Sequence, residues 1–327
     1  LQYVWLLQLT RMPVTDIFHD PDVDLARANG GRALHANGIT VMLPRIFGFC
    51  GGVLRALELL QRTVADAVDQ RVWLLGEIIH NPSVNHFFSA EGVSILPHGE
   101  AGQVVDLAVP GDILVIPAFG IPLALDRTVR TFTRGQGRVV DATCGYVRRI
   151  WSFVESIAPG NGTVVIHGKP DHPETQATLS RALGPANTVV LVADIDDALL
   201  LSHCVKDRTL RDYPPDRVFG KPNANLERLA LVNQTTMLHR ETAHIADMLR
   251  TVAQETGGRL WAPDTVCSAT QDRQDAALEL CRTGPDLILV VGGFSGYTHI
   301  AVWLVAGTVV YAVVSRMIYN LIVLRRQ

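Results

Sequence analysis

TVVIHGKPDHPE, residues 163–174, is the stretch on which the fold turns. Thr163 to Ile166 is a β-branched run without polar alternation, which suits a strand covered on both faces. The run stops at Gly168, and Lys169, Asp171, His172 and Glu174 crowd the place where it stops. The same pattern repeats outward. Toward the C-terminus come NTVVLVA (187–193), LALVNQ (229–234) and DLILVVGG (286–293). Toward the N-terminus come RVVDA (138–142), DILVIPA (112–118), RVWLLG (71–76) and ITVML (39–43). Helical spacing fills the intervals: Val53, Leu57, Leu60, Val64 and Val68 form one stripe, and Ile245, Met248, Leu249 and Val252 another. Strands alternating with helices predict an α/β fold with mostly parallel sheets. The stretch 206–225, rich in Pro, Asp and Arg, reads as a long surface excursion.

Polar residues gather at the carboxyl ends of these strands, in GFCGG (48–52), GEIIHN (76–81), TC (143–144), KPDHPE (169–174) and QTT (234–236). That edge is where open α/β sheets bind ligands, because loops and helix N-termini converge there. Five loops carrying Cys, His, Glu, Gln and Thr predict a shared pocket. Cys50, Cys144 and Cys267 each stand in a turn directly before a helix, whereas Cys204 and Cys281 lie within helical stretches. Intervals of 94 and 123 residues between the three exclude a local zinc knuckle. Two readings stay open on spacing alone. The three are buried small hydrophobes, or three thiolates that meet in space around zinc or an iron–sulfur cluster with one open position.

A chain of 327 residues accommodates two domains or three small units. Its 29 Lys and Arg against 32 Asp and Glu leave a net charge of −3, which supplies no basic field for a nucleic acid. Five cysteines are too few for a disulfide scaffold, and the odd count points to thiols or ligands. No GxGxxG is present, so neither a flavin nor a nicotinamide fingerprint is found. From Ala301 to Leu324 the chain is apolar with one charge, Arg316. That run is long enough to cross a bilayer, yet an arginine held near the middle would cost about 3 kcal/mol. A buried helix or strand pair, or an ending that is not native coding sequence, are the other readings. LQYVWLLQLTR at the start is expected to be upstream translation or a fragment edge, and it lacks the n-region of a signal peptide.

Six motifs in order resemble the 4-hydroxy-3-methylbut-2-enyl diphosphate reductase (LytB/IspH) family of the non-mevalonate isoprenoid pathway. They are GFCGGVLRALE (48–58), GEIIHNPSVN (76–85), VVDATCGYV (139–147), IHGKPDHPETQAT (166–178), NQTTML (233–238) and DTVCSATQDRQDA (264–276). IPAFGIP (116–122), IHGK and NQTTML resemble the cyanobacterial and plastid branch, in which Phe119 stands where other branches carry histidine.

The resemblance implies three similar α/β units around a central cluster-binding cavity. It implies that Cys50, Cys144 and Cys267 hold a 4Fe-4S cluster, one iron of which has no protein ligand. By the same resemblance His80 and His172 bind the diphosphate, Glu174 relays protons to the leaving hydroxyl, and Thr235, beside Gln234 and Thr236, hydrogen-bonds the substrate oxygen. Read without the family, Thr235 would be a strand-end threonine capping the next helix. Asn81 and Thr270 stand within the motifs without an assigned chemistry, and Gly51 and Gly52 leave backbone N–H groups exposed beside Cys50. The implied partners are an allylic diphosphate and a ferredoxin or flavodoxin-type electron donor, in the cytoplasm.

The match breaks after VVGGF (290–294). The family's Asn-Ser-Ser-Asn clamp is replaced by SGYTHI (295–300), in which Ser295, Thr298 and His299 are remnants and Ser295 is the expected diphosphate ligand. The expected division is an extension over 1–37, units over 38–143, 144–263 and 264–300, and an apolar tail over 301–327, read as a truncated or frame-shifted ending. The strand near 38–50 is expected to complete the third unit.

Overall fold

The computed structural model describes residues 21–28, 33–36, 39–133, 137–157, 162–183, 188–221, 224–294, 297–304 and 319–326. In chain order the first elements are α1 (Pro21–Ala28), β1 (Ala33–Ala36), β2 (Ile39–Met42), α2 (Gly51–Asp66), β3 (Val72–Leu75), α3 (Pro82–Ala90) and β4 (Val93–Leu96). A 3₁₀ turn (His98–Gln103) and the short α4 (Val104–Leu107) lead to β5 (Ile113–Ile116), α5 (Leu123–Thr133), β6 (Arg138–Asp141) and α6 (Gly145–Ile157). There follow β7 (Thr163–His167), α7 (Pro173–Ala182), β8 (Thr188–Val192), α8 (Ile195–Lys206), β9 (Val218–Gly220), β10 (Arg228–Asn233) and α9 (His239–Glu255). The last are β11 (Arg259–Trp261), α10 (Ser268–Cys281), β12 (Leu287–Phe294), β13 (Tyr297–Leu304) and β14 (Tyr319–Arg326).

Two of the three sheets are the mostly parallel sheets expected, β9 being the one antiparallel strand in them. One has the order β4-β3-β5-β6, the other β11-β10-β7-β8-β9. Their strands read as unbroken apolar runs because both faces are covered. On β3 and β5, Val72, Leu74, Ile113 and Val115 pack with Leu57 and Leu60 of α2 and Phe88 of α3. The alternate residues Trp73, Leu75, Leu114 and Ile116 pack with Val129 of α5. The second sheet divides likewise: Val165, Val190 and Leu231 face α8 and α9, while Val164, Ile166 and Leu191 face α6 and α7. Each fully buried Leu or Ile of these layers contributes about 1.5–3 kcal/mol.

Two expectations need correction. The stripe placed on α2 overruns it, for the helix ends at Asp66 and Val68 is 76% exposed. The backbone turns away there, reaching φ 58° at Asp69, so the apolar spacing outlasts the helix. The stretch 206–225 is no simple surface excursion either. Tyr213 is buried and donates its hydroxyl to Leu191 O at 2.8 Å, and β9 pairs antiparallel with β8 at the sheet edge. A three-residue edge strand behind two prolines leaves no periodic signal.

The third sheet, β1-β2-β14-β12-β13, is built differently, since all its pairs are antiparallel. β2 pairs with β14 and β14 with β12, so residues 39–42 share a sheet with residues 287–294. Parts of the apolar stretch 301–324 are therefore strand; its residues 305–318, like residues 1–20, lie outside the described residues. Among the described residues no helix is long and apolar enough to cross a membrane.

One close approach joins the first two sheets' helices. Gly120, just after β5, has φ +75°, and a Cβ there would overlap the Trp151 ring of α6. Trp151 is itself held by the Arg181 guanidinium 3.7 Å from its ring centroid and by donating to Thr178 Oγ1 at 3.2 Å. Arg181 in turn reaches Asp126 on α5 at 3.1 Å. Gly120→Ala should therefore lower stability by about 3 kcal/mol, from overpacking and a left-handed backbone together. A shift of the thermal unfolding midpoint checks this; an unchanged midpoint would show that Trp151 yields freely.

Candidate active site

The three cysteines occupy equivalent positions in three helices. Cys50 is the N-cap residue of α2 and Cys267 that of α10, both with extended backbone, and Cys144 immediately precedes α6. This places each sulfur beside the N–H groups that a helix leaves unpaired in its first turn. The Tyr146 and Val147 N–H groups bond Cys144, and the Ala269 N–H bonds Cys267. Burial raises the Cys144 and Cys267 thiols above the ordinary cysteine value, those N–H groups lower them, and the charges of the neighbouring thiols and Glu174 raise them further. The three thiols thus lie within electrostatic reach of one another, and Glu174 within reach of Cys144 and Cys267. Gly52 is the close approach between two of them: a Cβ there would meet Cys144 Sγ at 2.7 Å and Cys50 Sγ at 3.9 Å.

Polar anchors hold the cysteine loops. Arg273 of α10 donates from Nη2 and Nε to Gly48 O at 2.9 and 3.1 Å, tying the Cys267 helix to the Cys50 loop. Asp141 accepts the Thr143 N–H at 3.0 Å and pairs with Arg148 at 2.8 Å, and the Cys144 N–H donates to Ala118 O at 2.9 Å. Burial raises the Asp141 carboxyl, but the Thr143 bonds and the Arg148 charge outweigh it and leave the value lowered. Cys204 is buried inside α8 and Cys281 ends α10, neither in such a setting.

Glu174, in the first turn of α7, is 1% exposed. One carboxylate oxygen accepts the Thr235 N–H at 2.5 Å, and the other accepts the Thr235 hydroxyl at 2.8 Å. Burial pushes its pKa up to about 7, the Thr235 bonds opposing. Thr235 therefore caps no helix; α9 begins at His239 with Leu238 before it. Gln234 braces the same turn, its Oε1 accepting Lys169 N–H at 3.0 Å and the Thr175 hydroxyl at 3.2 Å, and its Nε2 donating to Thr236 Oγ1 at 2.6 Å.

His172 is the N-cap residue of α7, and its Nδ1 accepts the Glu174 N–H at 3.1 Å. Burial pushes its pKa down to about 3, with His80, Lys169 and His98 acting in the same direction. His80 Nε2 lies 3.1 Å from His172 Nε2, and its Nδ1 lies 2.8 Å from Glu77 Oε2. Phe119 stacks on His80 with ring centroids 4.2 Å apart and meets the His172 ring edge-on.

The predicted residues Cys50, Cys144, Cys267, His80, His172, Glu174 and Thr235 thus come together from segments that follow strands of all three sheets. Ser295 lies outside the described residues, as do the Thr298 and His299 side chains. Asn81 proves to be the N-cap of α3, accepting Val84 N–H at 3.2 Å. Sequence reasoning gave no role to Glu77, His98 or Phe119. The one available signal was Glu77 three residues before His80, a spacing too common to single out.

The profile of the LytB protein family matches residues 41–298. A 4-hydroxy-3-methylbut-2-enyl diphosphate reductase from Synechococcus sp. is 36% identical over 289 residues, which cover 84% of this chain and 70% of that protein. The chain belongs to the LytB family. A LytB relative of the same description from Cyanothece sp. is 34% identical over 296 residues, covering 84% of this chain and 69% of its own. Among solved structures, (E)-4-hydroxy-3-methyl-but-2-enyl diphosphate reductase, described as the terminal enzyme of the non-mevalonate pathway, aligns with a TM-score of 0.52 at 25% identity, over 75% of this chain and 74% of that one. The Plasmodium falciparum E-1-hydroxy-2-methyl-but-2-enyl-4-diphosphate reductase shares the fold, with a TM-score of 0.56 at 22% identity over 74% of this chain and 65% of that one. LytB membership fits an α/β fold with mostly parallel sheets.

Proposed function

We propose that this chain converts 4-hydroxy-3-methylbut-2-enyl diphosphate to isopentenyl and dimethylallyl diphosphates by two-electron reductive dehydroxylation. Carrying the reading is one buried carboxyl, Glu174, bonded to Thr235 and within electrostatic reach of Cys144 and Cys267, two of three cysteines that stand at three helix N-termini. The donor set fits an iron–sulfur cluster. Among the described residues no three His, Cys, Asp or Glu close tightly enough on a single ion. A 4Fe-4S cluster distributes its thiolates over several irons and needs no such convergence. Cys50, Cys144 and Cys267 would hold it, leaving one iron without a protein ligand, and the glycine at position 52 leaves room between two sulfurs. When bound, the cluster supplies electrons and a Lewis-acidic iron.

The residues of the chain do the rest. His80 and His172 bind the diphosphate, and Ser295 belongs to the same anion site. Thr235 Oγ1 orients the allylic hydroxyl. Glu174, with its pKa near neutrality, holds a proton on its carboxyl and passes it to the leaving oxygen. Two electrons and two protons balance the step, in which C–O breaks, C–H forms and water leaves. Electrons come from a ferredoxin or flavodoxin-type donor. All five cysteines are free, which suits a reducing compartment, and we place the protein in the cytoplasm. Anaerobic reconstitution with iron and sulfide, then turnover with a reduced dye, should release both products. A protein carrying a full complement of cluster that leaves the substrate unchanged would overturn the reading.

A further inference from the structure

The His80–His172 contact has a direction that its other bonds determine. The Glu174 N–H donates to His172 Nδ1, so that nitrogen carries a lone pair. His172 is buried and neutral, so its proton sits on Nε2. His80 Nδ1 faces the Glu77 carboxylate, which only accepts, so the His80 proton sits on Nδ1. His80 Nε2 then has a lone pair, and it accepts the His172 Nε2–H across 3.1 Å. With no ligand bound, His172 gives its N–H to His80, and neither ring presents a donor to an anion.

We infer that Glu77 is a positioning residue for diphosphate binding: it fixes the His80 proton on Nδ1 and balances the charge His80 gains when the anion arrives. The inference rests on the reading of His80 and His172 as the diphosphate site. A proton added to His80 Nε2 sets two N–H groups against each other, breaks the imidazole–imidazole bond and turns both donors toward a phosphate oxygen. Anion binding is thereby coupled to uptake of a proton. The groups acting on this pair are Glu77 from the same loop, His98 from the 3₁₀ turn, and Lys169 and the Glu174 N–H from the β7–α7 segment. Phe119 covers His80 with an apolar face. Among the described residues Glu77 is the one carboxylate bonded to either ring, so it supplies the compensating charge.

Glu77→Gln tests the charge alone, because the amide oxygen still accepts the Nδ1–H and the ring stays in place. Isopentenyl diphosphate binding to the cluster-loaded proteins would be followed by calorimetry at pH 8 in two buffers of different ionisation enthalpy. The parent should take up about one proton per ligand. The variant should take up clearly less and bind about tenfold more weakly. Equal proton uptake in the two proteins would overturn the role of Glu77. A loaded parent that neither binds isopentenyl diphosphate nor turns over the substrate would instead overturn the diphosphate reading, and this inference with it.

Discussion

Glu174→Gln should lower kcat by about 10²–10⁴-fold with little change in KM, while making the protein more stable at alkaline pH. The amide fits the site: its oxygen accepts the Thr235 N–H, and its NH₂ donates to Thr235 Oγ1, which reverses its hydroxyl. What the amide cannot do is release a proton. The diphosphate contacts proposed for His80 and His172 are untouched, since His172 is held by the Glu174 backbone N–H and not by its carboxyl. Loss of kcat without loss of binding separates a proton donor from a residue that shapes the pocket.

The stability half of that prediction follows from burial. The native carboxyl has its pKa raised from the ordinary 4.5 to about 7. Between those values the unfolded chain has released its proton while the native state still holds it. Stability therefore falls as pH rises through that window, and the deficit is complete above about pH 7. Glutamine carries no such deficit, so the variant should gain on the order of 3 kcal/mol at pH 8 and nothing below the ordinary carboxylate range. His172 acts in the opposite sense. Its pKa is depressed from 6.5 to about 3, so stability is lost as pH falls below 6.5. Parent and variant share that loss, and it cancels in their difference. Denaturant melts of both apo-proteins across pH 4–8 measure the effect. Parallel curves would show that the Glu174 carboxyl titrates in the native state as it does in the unfolded chain.

Much of this arrangement is legible in the chain, and the exceptions have physical causes. The parallel strands announce themselves because both faces are buried; residues 113–116 and 163–166 contain no solvent-facing position to interrupt them. The half-buried β4, interrupted by Ser94, and the largely exposed three-residue β11 carry no unbroken apolar run to mark them. β13 and β14 fall in an apolar stretch that fits helix and strand equally, and periodicity cannot separate the two. At the site, Cys50, Cys144, His172 and Thr235 mark strand ends, where polar residues stand out against apolar runs. Glu77 and Phe119 carry no such contrast. One is an ordinary half-exposed glutamate and the other an apolar residue set apart only by the family resemblance, and its 4.2 Å stacking on His80 and edge-on contact with His172 give Phe119 a place in the site.

Single Cys→Ser variants should divide the five cysteines into two classes. Cys50→Ser, Cys144→Ser and Cys267→Ser should each lose the visible absorbance and most of the iron and sulfide after reconstitution, with turnover falling by more than about 10³-fold. Serine keeps the helix N-cap position and the same backbone, so the fold around each position is preserved. What it removes is a thiolate stabilised by the first-turn N–H groups, such as those of Tyr146 and Val147 at Cys144. Cys204→Ser and Cys281→Ser should keep cluster and turnover. The first of these buries a hydroxyl inside α8 and should cost about 1–3 kcal/mol of stability. Iron and labile sulfide analysis, set beside thermal melts, distinguishes the classes, because a variant that merely unfolds loses both. A Cys267→Ser protein with the parent's iron content would break the set, since Cys267 comes from α10, the element that Arg273 ties to the Cys50 loop. Three thiolates on three separate helices support one cluster only if each is needed, so retention of iron in any one of these variants would move the cofactor elsewhere.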